Sequence, residues 1–164
     1  MVCDTNVLVH GIAGPLSGYD WHATVSRHQS ETITVVIPAM VIDELDSLKR
    51  SGKQETRSAA RRALIQLDEH FASGNTSQPL RTVPGGGTVR ITAYLDDVEP
   101  VRLPSPDSEI IDRTLALQGR MPLPGPRRVR LLTGDTGMLL RARQAGIECV
   151  KLPTPAPETV AKKT

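Results

Sequence analysis

Aromatic residues are nearly missing from this chain: one tryptophan, two tyrosines and one phenylalanine in 164 residues. A platform on which bases stack needs several exposed rings. Trp21, Phe71, Tyr19 and Tyr94 cannot furnish one, so a polynucleotide would be held mainly by its phosphates. Cysteine is scarce too. Cys3 and Cys149 match no metal or redox spacing, and both fall in expected strands, where a free thiol behaves as a small hydrophobe. His10, His22, His28 and His70 form no zinc pattern and read as surface or packing residues. No run is long and apolar enough to span a bilayer, and no signal peptide precedes the first strand. The expectation is a cytoplasmic protein with no membrane partner. An excess of one charge is also lacking, with 20 Lys and Arg against 18 Asp and Glu. Net charge therefore identifies no partner, and only its distribution can. Gly85-Gly86-Gly87 lacks the Gly-Lys-Ser/Thr ending of a phosphate loop and marks a turn.

What is present suits one domain large enough to bury a core. Val2 to Val9 reads as a fully buried strand. Trp21 to Gln29 reads as a helix with Asp20 as its N-cap, and Thr32 to Ile37 as a second strand ended by Pro38. From Ala39 to Lys49 the spacing is helical, with Val41, Leu45 and Leu48 at i, i+4 and i+7. Gly52 stops that helix, and Arg57 to Phe71 forms another. Ser73 to Gly87 reads as loop and Val89 to Leu95 as a strand. Ser105 opens a helix with Pro106 at its first position, running to about Gln118. An arginine- and proline-rich loop, Arg120 to Arg128, leads to a fourth strand. Asp135-Thr136 begins a last helix through Gln144, capped by Gly146, and Glu148 to Leu152 closes the fold. Strands alternating with helices predict a three-layer α/β/α sandwich with a mostly parallel sheet over 1–152. The proline-rich stretch 153–164 reads as a disordered tail.

Two strands each deliver an aspartate as they stop: Asp4 near the start and Asp135 near the end. In an open parallel sheet these carboxyl ends form the ligand crevice. Two carboxylates brought there would repel unless a cation lay between them. Helical geometry nominates two more acids. With Val41 at zero and about 100° per residue, Leu45 and Leu48 fall near 40° and 340°, Glu44 near 300°, and Asp43 and Asp46 near 200° and 140°. Glu44 lies at the edge of the buried arc and the other two look outward, although early acids also suit the helix dipole. In the Ser105 helix, with Ile110 at zero, Ile111, Thr114, Leu115 and Leu117 span about 340° to 140°. Asp107, near 60°, is then expected inward, with Glu109 and Asp112 outward at about 260° and 200°. A first-turn acid satisfied by backbone amides is the alternative for Asp107. Asp4, Glu44, Asp107 and Asp135 are thus expected at one end of the sheet. Such an all-oxygen set suits Mg²⁺ or Mn²⁺ and not zinc.

Asp4-Thr5-Asn6-Val7-Leu8, Val41-Ile42-Asp43-Glu44-Leu45-Asp46-Ser47-Leu48-Lys49, Asp107-Ser108-Glu109-Ile110-Ile111 and Thr133-Gly134-Asp135 resemble, in order, the four motifs of a PIN domain. The Glu44 helix is most similar to the PINc branch, including PIN domains fused to PhoH-like ATPases; toxin-type PIN ribonucleases are more distant. The resemblance runs from Val2 to about Leu152. It implies a metal-dependent endoribonuclease leaving 5′-phosphate and 3′-hydroxyl ends, with Asp4, Glu44, Asp107 and Asp135 as catalytic acids. Asp4, Asp107 and Asp135 would hold the metal, while Asn6 and Thr133 would orient carboxylates or water. It also implies a possible antitoxin or associated ATPase as partner, and a possible homodimer.

Lys49, Arg50, Lys53, Arg57, Arg61 and Arg62 form a basic cluster after the Glu44 helix. Such a flank would offset repulsion between RNA and the acids, or would simply be a solvated helix face. Arg120, Arg127, Arg128 and Arg130 make a smaller cluster, read first as a solubilising loop. Two other readings stay open. One is a structure-specific DNA nuclease, for whose usual extra helices the chain has no room. The other is a PIN-like module that binds RNA or protein without cutting.

Overall fold

The computed structural model describes residues 1–25, 28, 30–50, 53–72, 74, 77–82, 87–94, 102–120 and 128–152. The expected tail, Gly52, Leu95, Gly85, Gly86 and Arg127 lie outside them. Six strands, β1 (Val2–Cys3), β2 (Ile33–Pro38), β3 (Ser77–Thr82), β4 (Thr88–Tyr94), β5 (Arg130–Thr133) and β6 (Glu148–Lys151), form one sheet in the order β3-β4-β2-β1-β5-β6. All pairings are parallel except β3 with β4. Helices α1 (Trp21–Thr24), α2 (Ala39–Leu48), α3 (Gln54–Phe71), α4 (Pro106–Arg120) and α5 (Thr136–Gln144) supply the outer layers on both faces. This is the α/β sandwich that the alternation of elements predicts. Among the described residues no helix is long and apolar enough to cross a membrane.

The first strand departs most from expectation. The strand itself is just Val2 and Cys3; the chain then turns, Val7 N–H donating to the Asp4 carbonyl at 3.1 Å, into a wide helical turn over Val7–Gly11. Val7, Leu8 and Val9 are buried all the same. An unbroken apolar run is buried in either conformation, so its composition cannot separate a strand from a turn. Strand β3 lies in the stretch expected as loop. It is a polar edge strand carrying Pro79, with a register irregularity between Pro79 and Arg81. Edges tolerate proline because one side of the ladder is unpaired. Helix α1 ends at Thr24, short of the expected Gln29, although Asp20 does cap it by accepting from Ala23 N–H at 3.0 Å.

Strand β2 passes into α2 without a loop, Pro38 being both its last residue and the N-cap position of the helix. Val41 and Leu45 are fully buried, which fixes the rotation of α2 and leaves Glu44 half-buried at the sheet's carboxyl end. Each such side chain contributes roughly 1.5–3 kcal/mol. At the end of α5, Gly146 has φ +81°. Gly146→Ala is expected to cost about 1–2 kcal/mol in chemical denaturation, because a Cβ is strained in that left-handed conformation.

Candidate active site

The strand order reverses between β1 and β5: the chain builds outward from β1 through β2 and β4, then returns to β1's other side. Crevices at such reversals are where open α/β sheets bind ligands. Asp4 extends the β1–β5 pairing by one bond, its N–H donating to the Leu132 carbonyl at 3.1 Å. Its side chain is thereby fixed at the crevice, in a residue only 2% exposed. Thr133 Oγ1 donates to Asp4 Oδ2 at 2.7 Å, and Asn6 Nδ2 donates to the same oxygen at 3.4 Å. The turn after Asp4 makes the second bond possible, since in a continuing strand Asn6 would lie about 6.6 Å farther along. Burial pushes the Asp4 carboxyl above its usual range; the Thr133 and Asn6 bonds oppose the shift, and the Asp107 charge adds to it.

The same turn points Thr5 at α2, where its hydroxyl donates to Glu44 Oε2 at 2.5 Å. Burial raises the Glu44 carboxyl, the Thr5 bond lowers it, and the charges of Asp4 and Asp107 raise it. Asp4, Glu44 and Asp107 therefore share one electrostatic field. Asp135 joins this group through its backbone: its N–H donates to Thr133 Oγ1 at 2.9 Å, so Thr133 links the two aspartates. The Asp135 carboxylate itself caps α5, Oδ1 accepting from Met138 N–H at 2.7 Å. Gly137 leaves it room, since a Cβ there would stand 3.1 Å from Oδ1. Among the described residues no three His, Cys, Asp or Glu side chains are grouped as a cage for an ion.

Asp107 corrects the expected rotation of α4. Its side chain is 37% exposed and ion-paired with Arg141 of α5, whereas Glu109, expected outward, is fully buried. The true buried arc is centred on Ile110, Thr114 and Glu109, and Leu115 at 39% exposure lies beyond it. The exposed Leu115 draws the apolar pattern of α4 away from that arc. Glu109 can be buried because Arg102 Nη1 meets Oε1 at 2.8 Å and Leu103 N–H donates to Oε2 at 3.2 Å. Arg102 Nη2 also reaches Asp43 of α2 at 3.0 Å. One guanidinium thus ties the helix carrying Asp107 to the helix carrying Glu44. Thr5, Arg102, Glu109 and Arg141 are the site's supports that sequence reasoning passed over. Only Glu109 gave a signal, as a helix acid within four residues of an N-cap serine. Asp112 faces outward as expected, paired with Arg113.

Of the basic candidates, Lys49 and Arg50 both pair with Asp46, and Arg57 lines a cavity together with them. Lys53 is exposed at the N-cap position of α3 and is not among the residues that line this cavity. Arg62 donates to the Ile12 carbonyl at 3.4 Å. In the second cluster, Arg130 begins β5 instead of lying in a loop, and Arg128 and Arg130 both pair with Glu148, at 3.7 and 2.5 Å. Of the histidines, His22 is buried with Nε2 2.9 Å from the Glu31 carbonyl, and His70 packs edge-on against Phe71.

This sheet order, with an aspartate at the end of β1 facing a Thr-Gly-Asp at the end of β5, is reflected in the comparisons with known proteins. The family model described as PIN domain matches residues 1–153, and the chain belongs to the PIN-domain family. That family is generally a nuclease fold whose members use divalent metals. A solved domain of a functionally unknown protein from Methanocaldococcus jannaschii is similar in fold, with a TM-score of 0.54 and 19% identity over 96% of this chain and 94% of that one. A comparison with curated proteins returned no match.

Proposed function

We propose that this PIN domain is a Mg²⁺- or Mn²⁺-dependent endoribonuclease that leaves 5′-phosphate and 3′-hydroxyl ends. The observation that carries the reading is the buried Asp4, hydrogen-bonded by Thr133 and Asn6 and sharing its field with Glu44 and Asp107. Burial, and after it repulsion from neighbouring carboxylates, raises the Asp4 and Glu44 carboxyls, a cost that a divalent cation would offset. The donors are all oxygens, which fits a hard ion. Arg141, a cation, already pairs with Asp107. This donor chemistry supports such an ion, which Asp4, Asp107 and Asp135 would hold once Asp107 leaves Arg141, since among the described residues no three acids are already grouped as a cage.

A bound ion of this kind supplies Lewis acidity and lowers the pKa of a coordinated water. The chain's own residues supply position. Thr133 and Asn6 hold Asp4, and Thr5 holds Glu44, which would orient the attacking water. Water oxygen bonds to phosphorus, the P–O3′ bond breaks, and the proton released by the water balances the 3′-alkoxide. Lys49, Arg50, Lys53 and Arg57 would hold the strand by its phosphates. Arg141 competes for Asp107. Arg141→Ala is expected to tighten Mn²⁺ binding about two- to fivefold by calorimetry, the equivalent of a half-exposed ion pair. Unchanged binding would mean that Asp107 does not meet the ion.

The engagement of Asp107 by Arg141, and of Asp135 by its own helix, favours one second reading, a module that binds without cutting. A labelled single-stranded RNA incubated with Mn²⁺, Mg²⁺ or EDTA, beside matched DNA and the Asp135→Asn variant, separates the two. Metal-dependent RNA cutting with 5′-phosphate ends, lost in the variant, supports the nuclease. Inert wild type that nevertheless binds Mn²⁺ supports the module.

A further inference from the structure

The three acids expected to hold the ion are not themselves held alike. Asp4 takes bonds from Thr133 Oγ1 and Asn6 Nδ2, and Asp135 from the Met138 N–H, all uncharged donors. Asp107 instead meets a full cation, Nη2 of Arg141, across the gap from α4 to α5. That pair is open to water, with the Arg141 side chain 47% and the Asp107 side chain 37% exposed. Ion pairs so placed hold weakly, by about two- to fivefold in equilibrium, so a change of partner is within easy reach. Long helical side chains lean back toward the N-terminus of their helix. Arg141 does so, its Nε donating to the Gly137 carbonyl at 3.5 Å, one turn nearer the start of α5. Asp135 caps that start, so the guanidinium is carried toward the crevice. The charge of Asp107 acts on both Asp4 and Glu44, which puts its cationic partner at the border of the same acidic group.

We infer that Arg141 changes partner, holding Asp107 in the empty site and moving to a phosphate of the RNA strand as the site fills. The inference rests on the ribonuclease reading for the identity of the strand and of the ion. A divalent ion and a guanidinium on one carboxylate repel each other, so Arg141 leaves as the ion arrives. The strand supplies the anion that Arg141 then lacks, and a planar guanidinium can turn one edge to phosphate oxygens. Either ligand must open the pair in order to enter, and whichever enters first opens it for the other. Strand and ion therefore bind with positive coupling, each tightening the other by the strength of the pair. Without a strand, Arg141 keeps the ion loosely bound where there is nothing to cut.

The test is a double-mutant cycle on RNA binding, read by anisotropy of a labelled single strand in EDTA, where nothing is cut. Asp107→Asn removes a negative charge beside the strand and is expected to tighten binding in either background. With Arg141 present it also frees the guanidinium, so the gain should be about two- to fivefold larger than in Arg141→Ala. A pair that merely ties α4 to α5 would give equal gains, and equal gains overturn the exchange. The second reading uses Glu44→Gln, which keeps the three holders and is expected not to cut. There Mn²⁺ should strengthen RNA binding about two- to fivefold more with Arg141 than with Arg141→Ala. An equal Mn²⁺ effect in both, or a wild type that binds no RNA, overturns the exchange as well. Circular dichroism checks each fold, and Arg141→Gln replaces Arg141→Ala should that variant misfold. Cleavage is scored separately. An unequal cycle without cutting counts against the nuclease, and cutting with equal gains counts against the exchange alone.

Discussion

Asp4→Asn is expected to lower RNA cleavage more than about 100-fold, beyond the 10–100-fold that loss of a group supporting a metal ligand costs. It should at the same time make the metal-free protein more stable. Asp4 is almost wholly buried, and burial holds both its carboxyl and that of Glu44 above the ordinary range. The folded chain therefore keeps protons in a pH range where the unfolded chain has lost them. Stability falls as pH rises from the ordinary carboxyl value through the raised folded value, and stays lower above it. Asparagine carries no charge and escapes its part of that fall, while its carbonyl can still accept from Thr133. Melting curves in EDTA between about pH 4 and 8 should show wild type and variant converging at the acid end and separating as pH rises. A variant less stable than wild type near neutrality would show that the carboxylate supports the fold in its own right. Added Mn²⁺ should raise the melting temperature of wild type and have far less effect on the variant.

Arg102→Ala is the second large effect, and it acts on the frame. Glu109 is fully buried, and its carboxylate is met by Arg102 and by the Leu103 N–H. Removing one partner of a buried pair strands the other charge, at a cost of about 3–5 kcal/mol. The guanidinium is 47% exposed, so water can reach part of the gap, and the loss belongs near the lower figure. Urea denaturation measures it. Pairing Arg102→Ala with Glu109→Gln should restore much of the stability, because the stranded charge is gone. A double variant as unstable as the single one would place the cost elsewhere, for instance in the lost bond to Asp43. Cleavage should drop as well, since Arg102 is the tie between α2 and α4.

The sheet, its parallel sense and four of the five helices are legible because each rests on periodicity or on a strong terminator. Pro38, Ser105-Pro106, Asp135 and Gly146 each end or begin an element within a residue or two of where their chemistry places it. What escapes has a common cause. Val7, Leu8 and Val9 are apolar in unbroken succession, so no period separates strand from turn there. Strand β3 is polar and contains proline because it is an edge, and such strands look like loops. The rotation of α4 turns on Leu115 and Glu109, an exposed leucine and a buried glutamate, where residue type and environment disagree. That disagreement is decided by Arg102, seven residues upstream of Glu109 and in no regular element, so no helical wheel includes it. The positions of Asp4 and Asp135 are legible because strand ends deliver them regardless of register.

Strand β1 is only two residues long, yet it holds the centre of the sheet, with β2 on one side and β5 on the other. Its second neighbour is some 130 residues downstream, as is the hydroxyl that orients Asp4. Chains are made from the N-terminus and fold as segments emerge. A growing polypeptide that has reached only α4 has Asp4, Glu44 and Asp107 but neither Thr133 nor the strand that backs them. The crevice is thus completed late in synthesis, only once β5 has been delivered.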